Sequence, residues 1–168
     1  MAVVNTIWHV LAGLAIVTVT VAGDCISFED HKEEILNCCK YHPPYPKDEV
    51  RECLGSAQAK SGGDKHQFFV CLLECYLPRI GVIDGESINE GRIAEHMQSL
   101  DENARNMLLE AYKECAGKTT GAARGQCNSY AFDLETCVLQ KIDMECPAEF
   151  YNPGPICDQL KSGTEICH

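Results

Sequence analysis

Twelve cysteines among 168 residues constrain this chain more than any other feature of its sequence. A dense and even set of cysteines is typical of a secreted domain held together by disulfide bonds. Six bonds allow roughly ten thousand pairings, so the number of cysteines does not say which of them pair. The cysteines are Cys25, Cys38, Cys39, Cys53, Cys71, Cys75, Cys115, Cys127, Cys137, Cys146, Cys157 and Cys167.

The first 23 residues predict a secretion signal. They contain no Lys, Arg, Asp or Glu, and a mostly apolar run ends in the small residues Val21, Ala22 and Gly23, as at a signal-peptidase site. The leader lacks a basic start, so an uncleaved anchor is the alternative, although the run is short for a spanning helix. We expect a signal peptide at 1–23, a single domain at 24–168 and a secreted, extracellular protein.

The expected domain is strongly acidic. The net charge of the chain is −11, and the leader contributes none of it. A negative surface repels phosphate backbones and anionic lipids. We therefore expect no nucleic-acid partner and no insertion into a membrane.

Helix signals recur along the domain, and no segment shows the alternation of a strand. Capping residues are expected at Asp64, Ser87 and Ser99, because each has Glu or Gln three residues later. The second helix is expected to end at Gly55, and the tail beyond Pro147 to be irregular. The predicted fold class is all-α.

The stretch ILNCCKYHPPYP raises the question of catalysis. Secreted phospholipases A2 place two adjacent cysteines, two spacers and a histidine on their catalytic helix, where the histidine is a general base. Here Pro43 follows His42 and ends the helix, and no glycine-rich calcium loop lies upstream. We interpret His42 as a solvated turn residue and expect no catalytic residue.

Two candidate metal sites are also set aside. Adjacent cysteines such as Cys38 and Cys39, even with His42 nearby, seldom chelate one tetrahedral zinc ion. The segment from Asp84 to Glu95 has the length of a calcium loop, but Ile88 occupies its fifth place and an asparagine stands where the turn glycine is needed. We expect neither a metal nor a cofactor.

The spacing of neighbouring cysteines limits how they pair. Cys38 and Cys39 would point about 100° apart on a helix, so they are expected to bond to two different elements and not to each other. Cys71 and Cys75 lie one helical turn apart and face the same way. They too are expected to reach two separate partners.

These spacings resemble those of the insect odorant-binding proteins, and the extra cysteines resemble their Plus-C subclass. The stretch CLLECYLPRIGVIDGESINEGRIAEHM is similar to that family's segment around its second and third cysteines. The resemblance covers nearly the whole expected domain. The spacings that carry it are Cys71-x3-Cys75, the later Cys115, Cys127-x9-Cys137, Cys137-x8-Cys146, Pro147 directly after Cys146, and Cys157 ten residues after that proline.

The resemblance implies a compact, disulfide-stapled domain of six to eight helices around an apolar cavity. It also implies the bonds Cys71–Cys137 and Cys115–Cys146, and a bond from Cys75 to the first helix, for which Cys39 is preferred over Cys38. The cysteines then left in unknown order are Cys25, Cys38, Cys53, Cys127, Cys157 and Cys167. Since three of these are N-terminal and three C-terminal, at least one bond must tie the two ends and strap the tail to the body.

The function that the resemblance implies is extracellular transport of small hydrophobic molecules, odorants or pheromones, in sensory lymph, without catalysis. The partners it implies are such a ligand and an olfactory receptor or another odorant-binding protein, with the carrier a monomer or a homodimer. Two other classes stay open. A disulfide-rich inhibitor or defence protein would have a packed interior, and a divergent phospholipase would need calcium.

The candidate ligand-binding residues lie on apolar helical stripes that the expected bonds would bring face to face. From periodicity alone such stripes predict a packed core, and the resemblance favours a cavity instead. Methionines among them would give the cavity adaptable walls. The candidates are Leu72, Leu73, Tyr76, Ile80, Met97, Met107, Leu108, Ala111, Tyr112, Tyr130, Leu134 and Val138.

Overall fold

The computed structural model describes residues 25–167, so the predicted signal peptide at 1–23 lies outside the described residues. Within that range the chain forms seven helices and six two-residue strands. The prediction of an all-α domain of six to eight helices is confirmed. The helices are α1 (Phe28–Ile35), α2 (Asp48–Ser61), α3 (Lys65–Arg79), α4 (Glu90–His96), α5 (Glu102–Ala116), α6 (Tyr130–Glu145) and α7 (Pro155–Lys161).

Among the predicted helix starts, that of α3 agrees best with the structure. The Asp64 carboxylate accepts a hydrogen bond from the backbone N–H of Gln67 at 2.7 Å, which confirms the predicted cap. α4 and α5 begin after Asn89 and Asp101, each two residues beyond the serine expected to cap it. Both side chains accept a hydrogen bond from the third backbone N–H that follows them.

Two predicted irregular segments are helical instead. α2 continues past Gly55 to Ser61 and is capped by Gly62, whose φ of 61° is left-handed. A glycine inside a helix costs about 1 kcal/mol, which burial of Cys53 and Ala57 against α3 outweighs. The tail contains α7, which begins with Pro155 at a position that suits a residue lacking an amide donor.

The short strands fix turns and join the chain ends. β2 (Ile83–Asp84) and β3 (Ser87–Ile88) form one hairpin, and β4 (Ala123–Arg124) and β5 (Cys127–Asn128) form another. β1 (Ile26–Ser27) pairs in parallel with β6 (Ile166–Cys167), so the two ends of the described chain lie side by side.

The main hydrophobic core lies between α3, α4, α5 and α6, and two smaller clusters flank it. One flanking cluster packs α7 and the β1–β6 pair on α1. The other packs α2, the first half of α3 and the β4–β5 hairpin around Phe132. The largest fully buried side chains of the main core are Tyr112, Leu77, Ile93, Met97, Leu108, Leu134 and Ile142.

All twelve cysteines are paired, and Cys38 and Cys39 bond to different partners, as predicted. Cys71 and Cys75 also reach two separate elements, and three of the six bonds tie the N-terminal to the C-terminal part of the chain. The strapping of the tail to the body is therefore confirmed. The bonds are Cys25–Cys167, Cys38–Cys157, Cys39–Cys146, Cys53–Cys75, Cys71–Cys127 and Cys115–Cys137.

The predicted bond Cys39–Cys75 is wrong, because α1 ends at Ile35 and Cys39 lies in an extended segment beyond it. That segment pairs with the tail: Lys40 N–H donates to the Phe150 carbonyl at 3.0 Å. The pairing places Cys39 next to the end of α6, where it bonds Cys146. Cys75 instead bonds Cys53, because the longer α2 runs alongside α3.

The predicted bonds Cys71–Cys137 and Cys115–Cys146 are also wrong. The β4–β5 hairpin lies on α3, where the Gln67 amide donates to the Arg124 carbonyl at 2.5 Å, and this contact brings Cys127 to Cys71. Cys137 faces the end of α5 and bonds Cys115. Each correction follows from which elements pack together, which cysteine spacing alone does not determine.

No helix among residues 25–167 is long and apolar enough to cross a membrane.

Candidate functional site

A cavity of about 310 Å³ lies between α1, the connection 36–47, α3 and α6. Its wall is mostly apolar and includes several aromatic rings. A volume near 300 Å³ suits a small organic molecule. The lining residues are Phe28, Lys32, Leu36, His42, Pro43, Tyr45, Phe69, Leu72, Leu73, Phe132, Glu135, Thr136, Val138, Leu139 and Ile142.

Helical periodicity explains why three apolar faces meet here. Residues 28, 32 and 36 recur every fourth position along α1 and just past its end, and 69, 72 and 73 form one face of α3. On α6 the positions 135, 138, 139 and 142 follow the three–four spacing of a single face. The connection that begins with Leu36 and contains Pro43 covers the remaining side.

One end of the cavity is polar. The Tyr112 hydroxyl, fully buried in the core, donates a hydrogen bond to the Glu135 carboxylate, which lines the cavity. The Tyr45 hydroxyl lies beside Tyr112 and Glu135. It is buried and interacts with the Tyr112 hydroxyl. The site therefore offers a carboxylate whose position is fixed from the core side by tyrosine hydroxyls.

Burial controls the ionisation of this polar end. Desolvation raises the pKa of Glu135 to about 7, although the hydrogen bond from Tyr112 acts in the opposite direction. Burial, with the nearby charge of Glu135 as a further cause, raises the pKa of both Tyr45 and Tyr112 above the ordinary value for tyrosine. Glu135 is thus an acid that titrates near neutrality, and the two phenols stay protonated.

His42 and Lys32 also belong to the wall. His42 is half-buried rather than a solvated turn residue, so that prediction is wrong. Burial lowers the pKa of His42, and a hydrogen bond with the backbone of Leu36 partly offsets this. The Lys32 ammonium lies 4.4 Å from the centre of the Phe69 ring, and it forms no ion pair with Glu135.

Of the predicted ligand-binding residues, Leu72, Leu73 and Val138 line this cavity. The structure places the other nine in the main core, where they contact one another instead. Tyr130 also borders a second cavity of about 210 Å³ beside the β2–β3 hairpin. The nine core residues are Tyr76, Ile80, Met97, Met107, Leu108, Ala111, Tyr112, Tyr130 and Leu134.

Sequence reasoning missed the aromatic wall and Glu135. Phe28 begins the stripe of α1, and Phe69 stands in the run KHQFFVCLLEC, so both were visible as apolar helical positions. With Cys71 assigned to Cys137 and Cys115 to Cys146, the stripe of α5 is expected to face the ligand in place of that of α1. A glutamate inside an apolar stripe was the available signal for the polar end.

Within residues 25–167, no group of three or more His, Cys, Asp or Glu side chains is arranged to hold a metal ion. The arrangement supplies a mostly apolar cavity with a few ionisable side chains in its wall, Glu135 being the acidic one, which is the chemistry of a binding site.

A stapled helical domain with an apolar cavity defines a binding protein, and the comparisons identify its family. Residues 20–141 match the family model described as the PBP/GOBP family. The chain belongs to this family of insect odorant-binding proteins, as predicted, and its six disulfides fit the Plus-C subclass. The family consists of binding and carrier proteins for small hydrophobic ligands, not of enzymes. No curated protein matches the chain.

A substitution at Ala111 tests where the ligand cavity lies. Ala111 is fully buried in the main core, so Ala111→Trp should lower the free energy of unfolding by about 1–3 kcal/mol or more through overpacking. Thermal unfolding of this variant would be compared with that of Ala59→Trp, which places the same ring on the exposed face of α2. A stable Ala111→Trp protein that no longer binds ligand would instead place the cavity beside α5.

Proposed function

We propose that this protein is a secreted carrier that binds small apolar odorant or pheromone molecules and moves them through an aqueous extracellular fluid. The observation that carries the proposal is the mostly apolar cavity of about 310 Å³ lined by α1, α3 and α6. Membership of a family of carriers supports it. An olfactory receptor or a second odorant-binding protein is the partner that such a carrier would meet.

The energetics of the cavity fit reversible carriage. Burial of apolar ligand surface contributes about 25 cal/mol per Å², and a ligand that fills a small cavity buries enough surface for a dissociation constant on the order of micromolar. The six disulfides support such a hollow, because they stabilise the domain without requiring every apolar side chain to pack. Leu72, Leu73 and Val138 are the predicted ligand contacts that remain part of this proposal.

The two other functional classes, an inhibitor or defence protein and a phospholipase, would use different parts of the structure. An inhibitor or defence protein would bind a macromolecule through its surface and would not need the cavity. A phospholipase would need His42 to activate water, but His42 lies outside any helix, on a mostly apolar wall. The geometry favours carriage over both.

The test is uptake of an environment-sensitive fluorescent dye by the purified protein and its displacement by apolar competitors. Leu73→Trp adds a ring at the cavity wall and should weaken dye binding about tenfold or more. Leu109→Trp is the matched control, because Leu109 is also half-buried on a helix but packs on the main core away from the cavity. It should bind dye within about twofold of the original protein.

Two results would overturn the proposal. One is the absence of saturable dye uptake by the original protein. The other is equal loss of binding in Leu73→Trp and Leu109→Trp, which would report general unfolding rather than a filled site. Circular dichroism of both variants would show whether they are folded, and the second result counts against the proposal only if they are.

A further inference from the structure

We propose that the preferred ligand of the cavity is an apolar amine whose ammonium group binds the Glu135 carboxylate. This inference rests on the proposed function and specifies the class of ligand. It follows from the hydrogen-bonding groups at the polar end of the cavity, from their charge, and from the aromatic rings beside them.

The first step is the count of free acceptors. Glu135 receives one hydrogen bond, from Tyr112, at its Oε1 atom. Its Oε2 atom accepts none within residues 25–167 and belongs to a side chain that lines the cavity. The Tyr45 hydroxyl is buried against Tyr112 and is not counted among these acceptors. An ammonium group carries three donors and no acceptor, so it can donate to Oε2, which a carbonyl group cannot do.

The second step is charge. Glu135 is the only acidic residue among the described residues of the lining and is half-buried in a mostly apolar wall, which makes an unpaired carboxylate there unfavourable. A ligand cation beside it would compensate that charge through a charge-assisted hydrogen bond. Lys32 does not do so, because its ammonium rests on the Phe69 ring. The net charge of −11 attracts cations from solution as well.

The third step concerns the aromatic wall. The rings of Tyr45 and Phe132 line the cavity together with Glu135, whereas the Lys32 ammonium already lies over the Phe69 ring. Aromatic faces attract ammonium groups and also cover alkyl or aryl frames. Tyr112 acts as a positioning residue, because its hydroxyl holds the Glu135 carboxylate from the core side without lining the cavity.

The experiment compares octylamine, octanol and octanoic acid as competitors of the bound dye at about pH 8. These compounds share one alkyl chain and differ in the head group. At that pH Glu135 is mostly ionised, and an alkylamine is still protonated. We expect octylamine to bind about tenfold more tightly than octanol, and octanoic acid to bind most weakly.

Glu135→Gln should lower the affinity for octylamine about tenfold and change that for octanol by no more than about twofold. Glu52→Gln is the matched control, since Glu52 is exposed on α2, pairs with Arg79 and loses the same charge far from the lining. The ranking of the three competitors is measured first on the original protein. That ranking tests the inference even if the Glu135→Gln variant does not fold.

Tighter binding of octanol or octanoic acid than of octylamine would overturn the inference, as would equal effects of Glu135→Gln and Glu52→Gln on octylamine. If octanoic acid binds best and Lys32→Gln abolishes this, the head group lies at Lys32 instead. In those cases dye uptake persists and the carrier proposal stands. Failure of dye uptake by the original protein would overturn both.

Discussion

Removal of the Cys71–Cys127 bond should destabilise this protein more than removal of any other disulfide, by about 4 kcal/mol in the free energy of unfolding. Its two cysteines are 56 residues apart, and they join α3 to the β4–β5 hairpin. With the other bonds intact, the shortest remaining route between the two cysteines runs through the Cys53–Cys75 and Cys39–Cys146 bonds and still covers about 40 residues. The unfolded chain of Cys71→Ala/Cys127→Ala therefore gains the conformational freedom of this loop, which is longer than the loop left by removal of any other bond.

The matched control is the Cys39–Cys146 bond, whose two cysteines are farther apart in the sequence. Cys39 and Cys146 are 107 residues apart and equally buried, but the adjacent Cys38–Cys157 bond closes nearly the same loop. Removal of the Cys39–Cys146 bond therefore opens a loop of only about a dozen residues. Cys39→Ala/Cys146→Ala should lower the free energy of unfolding by about 3 kcal/mol. Denaturant unfolding without reductant measures both variants. A larger loss in the control pair would contradict the argument from shared loops.

Replacement of Asp143 by asparagine should stabilise the protein by about 4 kcal/mol at pH 8 and leave its stability at pH 4 almost unchanged. Asp143 lies on α6 with no exposed surface, and neither carboxylate oxygen has a partner within residues 25–167. Desolvation raises its pKa from 3.8 to about 7. The folded protein therefore keeps a proton that the unfolded chain releases.

The sign of this pH dependence follows from proton binding. Between about pH 4 and 7 the folded state binds more protons at Asp143 than the unfolded state, so stability falls as the pH rises through that window. Asp143→Asn removes this contribution. Glu145→Gln is the control, because Glu145 is exposed on the same helix and pairs with Lys141 at 2.7 Å. Equal pH profiles for Asp143→Asn and the original protein, from denaturant unfolding at several pH values, would contradict the prediction.

Local signals in the sequence predicted the helices well where a cap and an apolar stripe agree. Asp64 and the run that follows it specify α3, and the stripe that begins at Tyr130 specifies α6. The extension of α2 past Gly55 could not be predicted, because packing on α3 outweighs the local preference of a glycine. Local chemistry determines helix starts, and tertiary packing determines how far a helix continues.

The candidate site was predicted only in part, for a physical reason. An apolar stripe has the same spacing whether it meets another side chain or an empty space. Leu73 and Ala111 therefore look alike in the sequence, yet the first lines the cavity and the second is packed in the core. The choice between them depends on which helix faces meet, and the expected pairing placed α5 rather than α1 beside α3 and α6 at the site.

The bond between Cys25 and Cys167 joins residues whose Cα atoms lie 5.4 Å apart beside the paired strands β1 and β6. Topologically, the described chain is thus a ring with further cross-links inside it. A pulling force applied at its two ends would load this one covalent bond, and the helices would bear no tension until it is reduced. Groups attached at the two ends would stay neighbours even in the denatured state, so their separation would report the redox state of the molecule and not its folding.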